Sequence, residues 1–127
     1  MPAAPGPVIV VDDDAAVRDS LKFALELEGM SVRVYEGGAA LLADAGGLAR
    51  GCLVVDYSMP AMDGLELVDR LRGRRIGLPA ILITGKANDD LRDRAARAGI
   101  RLVLEKPLAD GALVEGIRSA LSTLPPA

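Results

Sequence analysis

Four short, continuous runs of mostly branched apolar residues constrain this chain more than anything else in it. They are Val8-Ile-Val-Val11, Cys52-Leu-Val-Val55, Ala80-Ile-Leu-Ile83 and Leu102-Val-Leu104. Runs of this length without polar alternation read as strands buried on both faces, as in a parallel sheet covered by helices above and below. A fifth run, Ser31-Val-Arg-Val-Tyr35, alternates apolar with polar residues and reads as a half-exposed strand nearer an edge. Helical periodicity fills the intervals. Val17, Leu21, Ala24 and Leu25 recur at three- and four-residue steps, with Gly29 as a C-terminal stop. Ala39 to Ala45 makes a short second helix. Leu65, Val68 and Leu71 line a third that begins after Gly64, and Leu91, Ala95 and Ala98 mark a fourth ended by Gly99. Leu113, Ile117, Ala120, Leu121 and Leu124 form the stripe of a fifth, stopped by Pro125-Pro126.

Strictly alternating strands and helices joined by right-handed crossovers give an α/β fold with a parallel sheet sandwiched between helices. Periodicity alone does not give the strand order. A chain of 127 residues is the size of one domain. The domain is expected over residues 7–124, with a loose tail at 1–6 and a terminal stub or linker start at 125–127. Open α/β sheets bind ligands at the carboxyl ends of their strands, so the chemistry is sought there.

Composition narrows that chemistry. The chain has no histidine, which removes Ser-His-Asp and Cys-His machinery and any histidine-ligated zinc within it. Its net charge is −3 and its aromatic residues are Phe23, Tyr35 and Tyr57, so neither a basic face nor a stacking platform for nucleic acid is visible. The one cysteine, Cys52, reads as a small buried hydrophobe and fits a reducing cytosol. The longest uncharged run, Met1 to Val11, is far shorter than a membrane span of roughly 20 residues. The first cation is Arg18, too late for a secretory signal. A cytoplasmic protein without membrane contact is expected.

Each of the buried strands ends in a pointed polar residue. The first runs into Asp12-Asp13-Asp14, the second into Asp56, the third into Thr84-Gly85 and the last into Glu105-Lys106-Pro107. These positions are widely separated in sequence, yet a parallel sheet brings them to one edge. Clustered carboxylates repel one another by about 4 kcal/mol per pair at about 4 Å and moderate effective dielectric. A hard divalent cation relieves that repulsion, and Mg²⁺ commonly takes one or two carboxylates plus water. Such a metal and Lys106 would neutralise the oxygens of a phosphoryl group in transfer. The Asp carboxylate is then a sufficient nucleophile, Thr84 a hydrogen-bond donor, and Gly85 the space for the phosphate. Taken singly, each residue has a plainer reading: Asp14 a helix cap, Asp12 and Asp13 loop acids, Thr84 a strand end, Lys106 a solvated cation. Their joint placement favours the site.

Val8 to Asp14, Leu53-Val-Val-Asp56-Tyr-Ser-Met-Pro60-Ala-Met-Asp-Gly64, Ile-Leu-Ile-Thr84-Gly85 and Glu105-Lys106-Pro107 together resemble bacterial response-regulator receiver domains, from about Val8 to Leu124. The Ile-Thr-Gly and Glu-Lys-Pro wording is most similar to nitrogen-fixation-type regulators. The resemblance implies a flavodoxin-like (βα)5 fold with strand order 2-1-3-4-5. It implies that Asp56 accepts a phosphoryl group from a sensor histidine kinase or histidine phosphotransfer protein, with Mg²⁺ or Mn²⁺ held by Asp13, Asp56 and the backbone carbonyl of Ser58. Asp12 would support the metal through water, Thr84 and Lys106 would bind the phosphate, and Lys106-Pro107 would be cis. Ala16, Asp19, Ser20, Pro107 and Leu108 would face the partner. Ser58 and Lys86 would flank the attacking water and set the phosphate's lifetime. Dimerisation through the fourth helix, fifth strand and fifth helix is a further implication. So is a protein that catalyses only its own phosphorylation and dephosphorylation.

One position departs from the pattern. Val103 stands two residues before Glu105, where receivers carry Tyr or Phe as a switch. A valine with restricted χ1 cannot swing as a ring does, so transmission to the fourth helix and fifth strand is expected to be weaker or differently routed. Two other classes compete. A haloacid-dehalogenase-type phosphatase would use Asp12-x-Asp14, but Ala15-Ala16 follow in place of Gly-Thr. A pseudo-receiver would lack an acid, the Thr or the Lys, and all are present. The chain is expected to be a stand-alone receiver or the first domain of a larger regulator.

Overall fold

The computed structural model describes residues 6–48, 50–108 and 111–122. Along them run β1 (Val8–Val11), α1 (Ala15–Leu27), β2 (Val32–Tyr35), α2 (Gly38–Ala43), β3 (Cys52–Asp56), α3 (Gly64–Gly73), β4 (Ala80–Thr84), α4 (Asp89–Arg97), β5 (Leu102–Glu105) and α5 (Ala112–Ser122). The strands pair in parallel in the order β2-β1-β3-β4-β5, the flavodoxin-like arrangement. Most of the expected N-terminal tail, Leu124, Pro125-Pro126 and the C-terminal stub lie outside the described residues.

The uninterrupted apolar runs exist because the central strands have two cores to fill. Ile9, Val11, Leu53, Val55 and Leu82 pack with residues of α2, α3 and α4. Val8, Val10, Cys52, Val54, Ile81 and Ile83 alternate to the other face and pack with α1 and α5. Each such side chain is worth about 1.5–3 kcal/mol when fully removed from water. Cys52 is fully buried at the start of β3, and desolvation pushes its thiol up to about 12. β2 and β5 are the two edge strands. Alternation predicts this for β2, where Val32 joins the α1/α5 core while Val34 stays exposed. β5 departs from the reading of Leu102-Val-Leu104 as buried on both faces: at the sheet's edge all three are only half-buried.

The helix ends follow local chemistry. The Asp14 carboxylate accepts from the Ala16 and Val17 amides and caps α1, while Asp63 and Asn88 do the same for α3 and α4. Gly29 (φ 85°) and Gly99 (φ 79°) stop α1 and α4 in the left-handed conformation that favours glycine. Three further details differ from the sequence reading. α2 starts at Gly38 and ends at Ala43 instead of Ala45, and the chain tightens into a 3-10 turn at Ala45–Gly47, where two glycines oppose helix. Leu67 is buried beside Leu65, Val68 and Leu71, widening the apolar face of α3. Ala24 is exposed on α1, which turns Leu21 and Leu25 inward.

Candidate functional site

Strand register decides which side chains meet. Val11 pairs with Val55 and Asp56 with Ile83, so Asp12 follows β1 level with Asp56; Thr84 pairs with Glu105, so Lys106 follows one position on. Carboxylate oxygens of Asp12, Asp13 and Asp56 all lie within 4.8 Å of one another. Asp12 (4% exposed) and Asp56 (6%) are buried, while Asp13 is exposed. Lys106 Nζ stands 3.5 Å from Asp56 Oδ1. The Asp14 amide donates to Asp12 Oδ1 at 2.9 Å, and the Arg18 guanidinium donates to the Asp12 carbonyl at 2.7 Å.

The electrostatics leave this cluster short of positive charge. Burial raises the Asp12 carboxyl above its ordinary value, against the lowering pull of the Asp14 amide. Burial, then the neighbouring Asp12 charge, raises Asp56, with Lys106 pulling the other way. Two buried carboxylates and an exposed third, converging with one lysine, fit a hard divalent cation bound by oxygen.

The same shifts carry a stability prediction. A carboxyl whose folded pKa is raised costs folding free energy above that pKa, and the cost disappears as pH falls below the unfolded value. Asp12→Asn keeps the oxygen that accepts from the Asp14 amide and removes one charge. In EDTA at pH 7 it should melt at a higher temperature than the native chain. That gap should close as the pH is taken down towards 4, and Mg²⁺ should raise the native melting temperature more than the variant's. Thermal melts across pH would check this, and a gap that widens in acid would contradict it.

Thr84 is 3% exposed, and its hydroxyl is engaged locally: Oγ1 donates to the Lys86 carbonyl and accepts from the Lys86 amide, both at 3.3 Å. A Cβ at Gly85 would meet nothing within 4 Å, so the strand end is open beside Thr84. Ser58 and Lys86 are exposed in the loops after β3 and β4. The Lys106–Pro107 peptide is cis. Val103 is half-buried against the core shared by α3 and α4. Ala16, Asp19, Ser20 and Pro107 are exposed, whereas Leu108 packs partly against the α1/α5 core.

Several contacts escaped the sequence reading. Phe23 is 67% exposed and Leu27 71%, continuing along α1 the line begun by Ala16 and Ser20. Their three- and four-residue spacing was visible, but it resembles the spacing of a buried stripe. The Arg94 guanidinium donates to the Tyr57 hydroxyl at 3.5 Å, and the Ala87 amide donates to Glu105 Oε1 at 2.7 Å. Neither pair has a signal in sequence spacing.

A five-stranded parallel sheet with three acids, a threonine and a lysine at its carboxyl ends defines a class of signalling domain. The family model described as the response regulator receiver domain matches residues 8–118, and the chain belongs to that family. Among curated relatives, the transcriptional regulatory protein FixJ of Bradyrhizobium diazoefficiens is 38% identical over 122 residues, 96% of this chain and 60% of its own length. FixJ of Azorhizobium caulinodans is 41% identical over 115 residues, 91% of this chain and 54% of its own length. The chain thus spans little more than half of these relatives. A crystal structure of FixJ-N superposes with a TM-score of 0.88 at 36% identity, covering 95% of this chain and 97% of that one. The nitrogen-fixation-type resemblance read from the strand-end motifs agrees with these relatives.

Proposed function

We propose that Asp56 accepts a phosphoryl group from a phosphohistidine on a sensor histidine kinase or histidine phosphotransfer protein, in a Mg²⁺- or Mn²⁺-dependent reaction. The observation that carries this is the buried Asp56 carboxylate, 3.5 Å from Lys106 Nζ and among two further acids within 4.8 Å. An Asp56 carboxylate oxygen attacks phosphorus; the O–P bond forms as the N–P bond of the donor breaks, and the imidazole leaves with the electron pair. Lys106 offsets charge on the phosphoryl oxygens, and the Thr84 hydroxyl donates to one of them once released from Lys86. Asp12, Asp13, Asp56 and the Ser58 carbonyl would hold the cation, which when bound supplies charge neutralisation and orientation of the phosphoryl oxygens. Burial around Asp56 limits water, and Ser58 and Lys86 flank its approach, which makes them modulators of the phosphate's lifetime.

The partner docks on the exposed first half of α1, at Ala16, Asp19 and Ser20, with Pro107 and Leu108 alongside. Output runs through the face of α4, β5 and α5, by a changed protein contact or a homodimer. Val103 occupies the switch position there with little capacity to swing. The domain spans residues 7–124, between a tail at 1–6 and a stub at 125–127, and works in the cytoplasm without contacting nucleic acid itself. Among the described residues, no helix is long and apolar enough to cross a membrane.

Incubation with a small acyl-phosphate donor and Mg²⁺ should add one phosphoryl group, seen by intact mass and removed by hydroxylamine. EDTA should suppress the gain. A chain that gains no mass in Mg²⁺ would refute the reading.

A further inference from the structure

β5 carries a polar side chain that the phosphoryl chemistry leaves unused. Glu105 closes the strand, its side chain is exposed, and its Oε1 accepts from the Ala87 amide at 2.7 Å across the loop between β4 and α4. A carboxylate acceptor at this distance makes one of the stronger hydrogen bonds available to a protein surface. The loop is therefore fixed at consecutive residues. Lys86 bonds the Thr84 hydroxyl through both its amide and its carbonyl, Ala87 is held by Glu105, and the Asn88 side chain accepts from the Leu91 amide to cap α4. Behind them the Lys106 amide donates to the Thr84 carbonyl at 2.8 Å, so β5 grips both ends of the same short path.

The Thr84 hydroxyl has one proton, which at rest goes to the Lys86 carbonyl. To donate to a phosphoryl oxygen on Asp56 it must let that carbonyl go, and Ala87 is the next residue along. Any displacement of Lys86 thus works against the bond from Ala87 to Glu105. The side chain of Val103, two residues back on the same face of β5, has no group that can hydrogen-bond to the loop.

We propose that Glu105 is a positioning residue that straps the β4–α4 loop in its resting arrangement and sets the threshold at which Thr84 is released to the phosphoryl group. The inference rests on Asp56 being the phosphoacceptor. A ligand that needs the released arrangement binds more weakly by the fraction of molecules strapped at rest, so cutting the strap must tighten its binding.

The test measures binding of beryllium fluoride, a phosphoryl mimic, to the full chain in Mg²⁺. Glu105→Ala should bind it about three- to tenfold more tightly than the native chain, because a modest population shift is sufficient. Glu105→Gln keeps an acceptor oxygen and should stay close to native affinity. In a Thr84→Ala background the effect of Glu105→Ala should disappear, since no hydroxyl remains to be released. If Glu105→Ala does not fold, Glu105→Asp, a methylene too short to reach Ala87, carries the same expectation. Unchanged or weaker binding in the strap variants overturns the proposal, as does a gain that survives in Thr84→Ala. A native chain that fails to bind beryllium fluoride at all would instead remove the phosphoacceptor reading, and this inference with it.

Discussion

Asp56→Asn will take phosphoryl uptake down to background, a loss of about a hundredfold or more, while the metal-free chain becomes more stable. The two effects have one cause. The amide is not a nucleophile, so no acyl phosphate forms at residue 56. The same change removes a buried charge whose carboxyl is raised by desolvation and by Asp12. Lys106 loses its partner in this variant, but its side chain is 40% exposed and solvent takes over at little cost. Intact mass after exposure to a small acyl phosphate reads the first effect, and melting in EDTA reads the second. Uptake that persists in Asp56→Asn and vanishes in Asp12→Asn would move the nucleophile to β1, as a haloacid-dehalogenase-type phosphatase requires. Opposite signs for activity and stability would also separate a site residue from a structural one, since a residue needed for packing would lose both.

Gly64→Ala is expected to damage both properties together. A Cβ at Gly64 would lie 2.7 Å from the Asp56 carbonyl oxygen and 2.8 Å from Leu82 Cδ1. The first contact is backbone and cannot rotate away. The Gly64 amide also donates to the Tyr57 carbonyl at 3.0 Å, so the start of α3 is fixed against the end of β3 from two directions. Overpacking of this kind costs about 1–3 kcal/mol, which corresponds here to a melting temperature lower by roughly 3–12 °C. Relief requires moving the Asp56 backbone, and a displacement of about 1 Å at a reacting group costs on the order of a hundredfold in rate. Melting curves and initial uptake rates on the same preparation would check both. An unchanged melting temperature would mean that α3 yields freely at its first turn.

The glycine also explains why the Met-Pro-Ala-Met-Asp-Gly segment reads so clearly. Asp63 caps α3 and Gly64 admits it against the strand that ends in Asp56, so local chemistry and tertiary contact coincide there. The buried strands were legible for a similar reason: with two cores to fill, Val8 to Val11 and Cys52 to Val55 have no polar position to confuse the pattern. α1 was less legible. Ala24, read as part of the buried stripe, is exposed, and the equally apolar Phe23 and Leu27 are exposed on the same helix. The site acids, Thr84 and Lys106 could be named because each terminates a strand whose direction follows from the fold. The hydrogen bonds from Ala87 to Glu105 and from Arg94 to Tyr57 join loops and helix faces whose approach depends on three-dimensional path alone. No spacing rule encodes them.

The order in which the strand ends are reached along the chain has a consequence for biosynthesis. A ribosome delivers Asp12 and Asp13 first, Asp56 next, then Thr84, and Lys106 last of these groups. Asp56 cannot sit beside Lys106 until β4 has docked on β3 and β5 on β4. Contacts this distant in sequence form late, after the costs of closing the intervening loops have been met. A nascent or truncated chain therefore carries the acids without the lysine that stands beside Asp56, and the assembled cluster marks a finished domain.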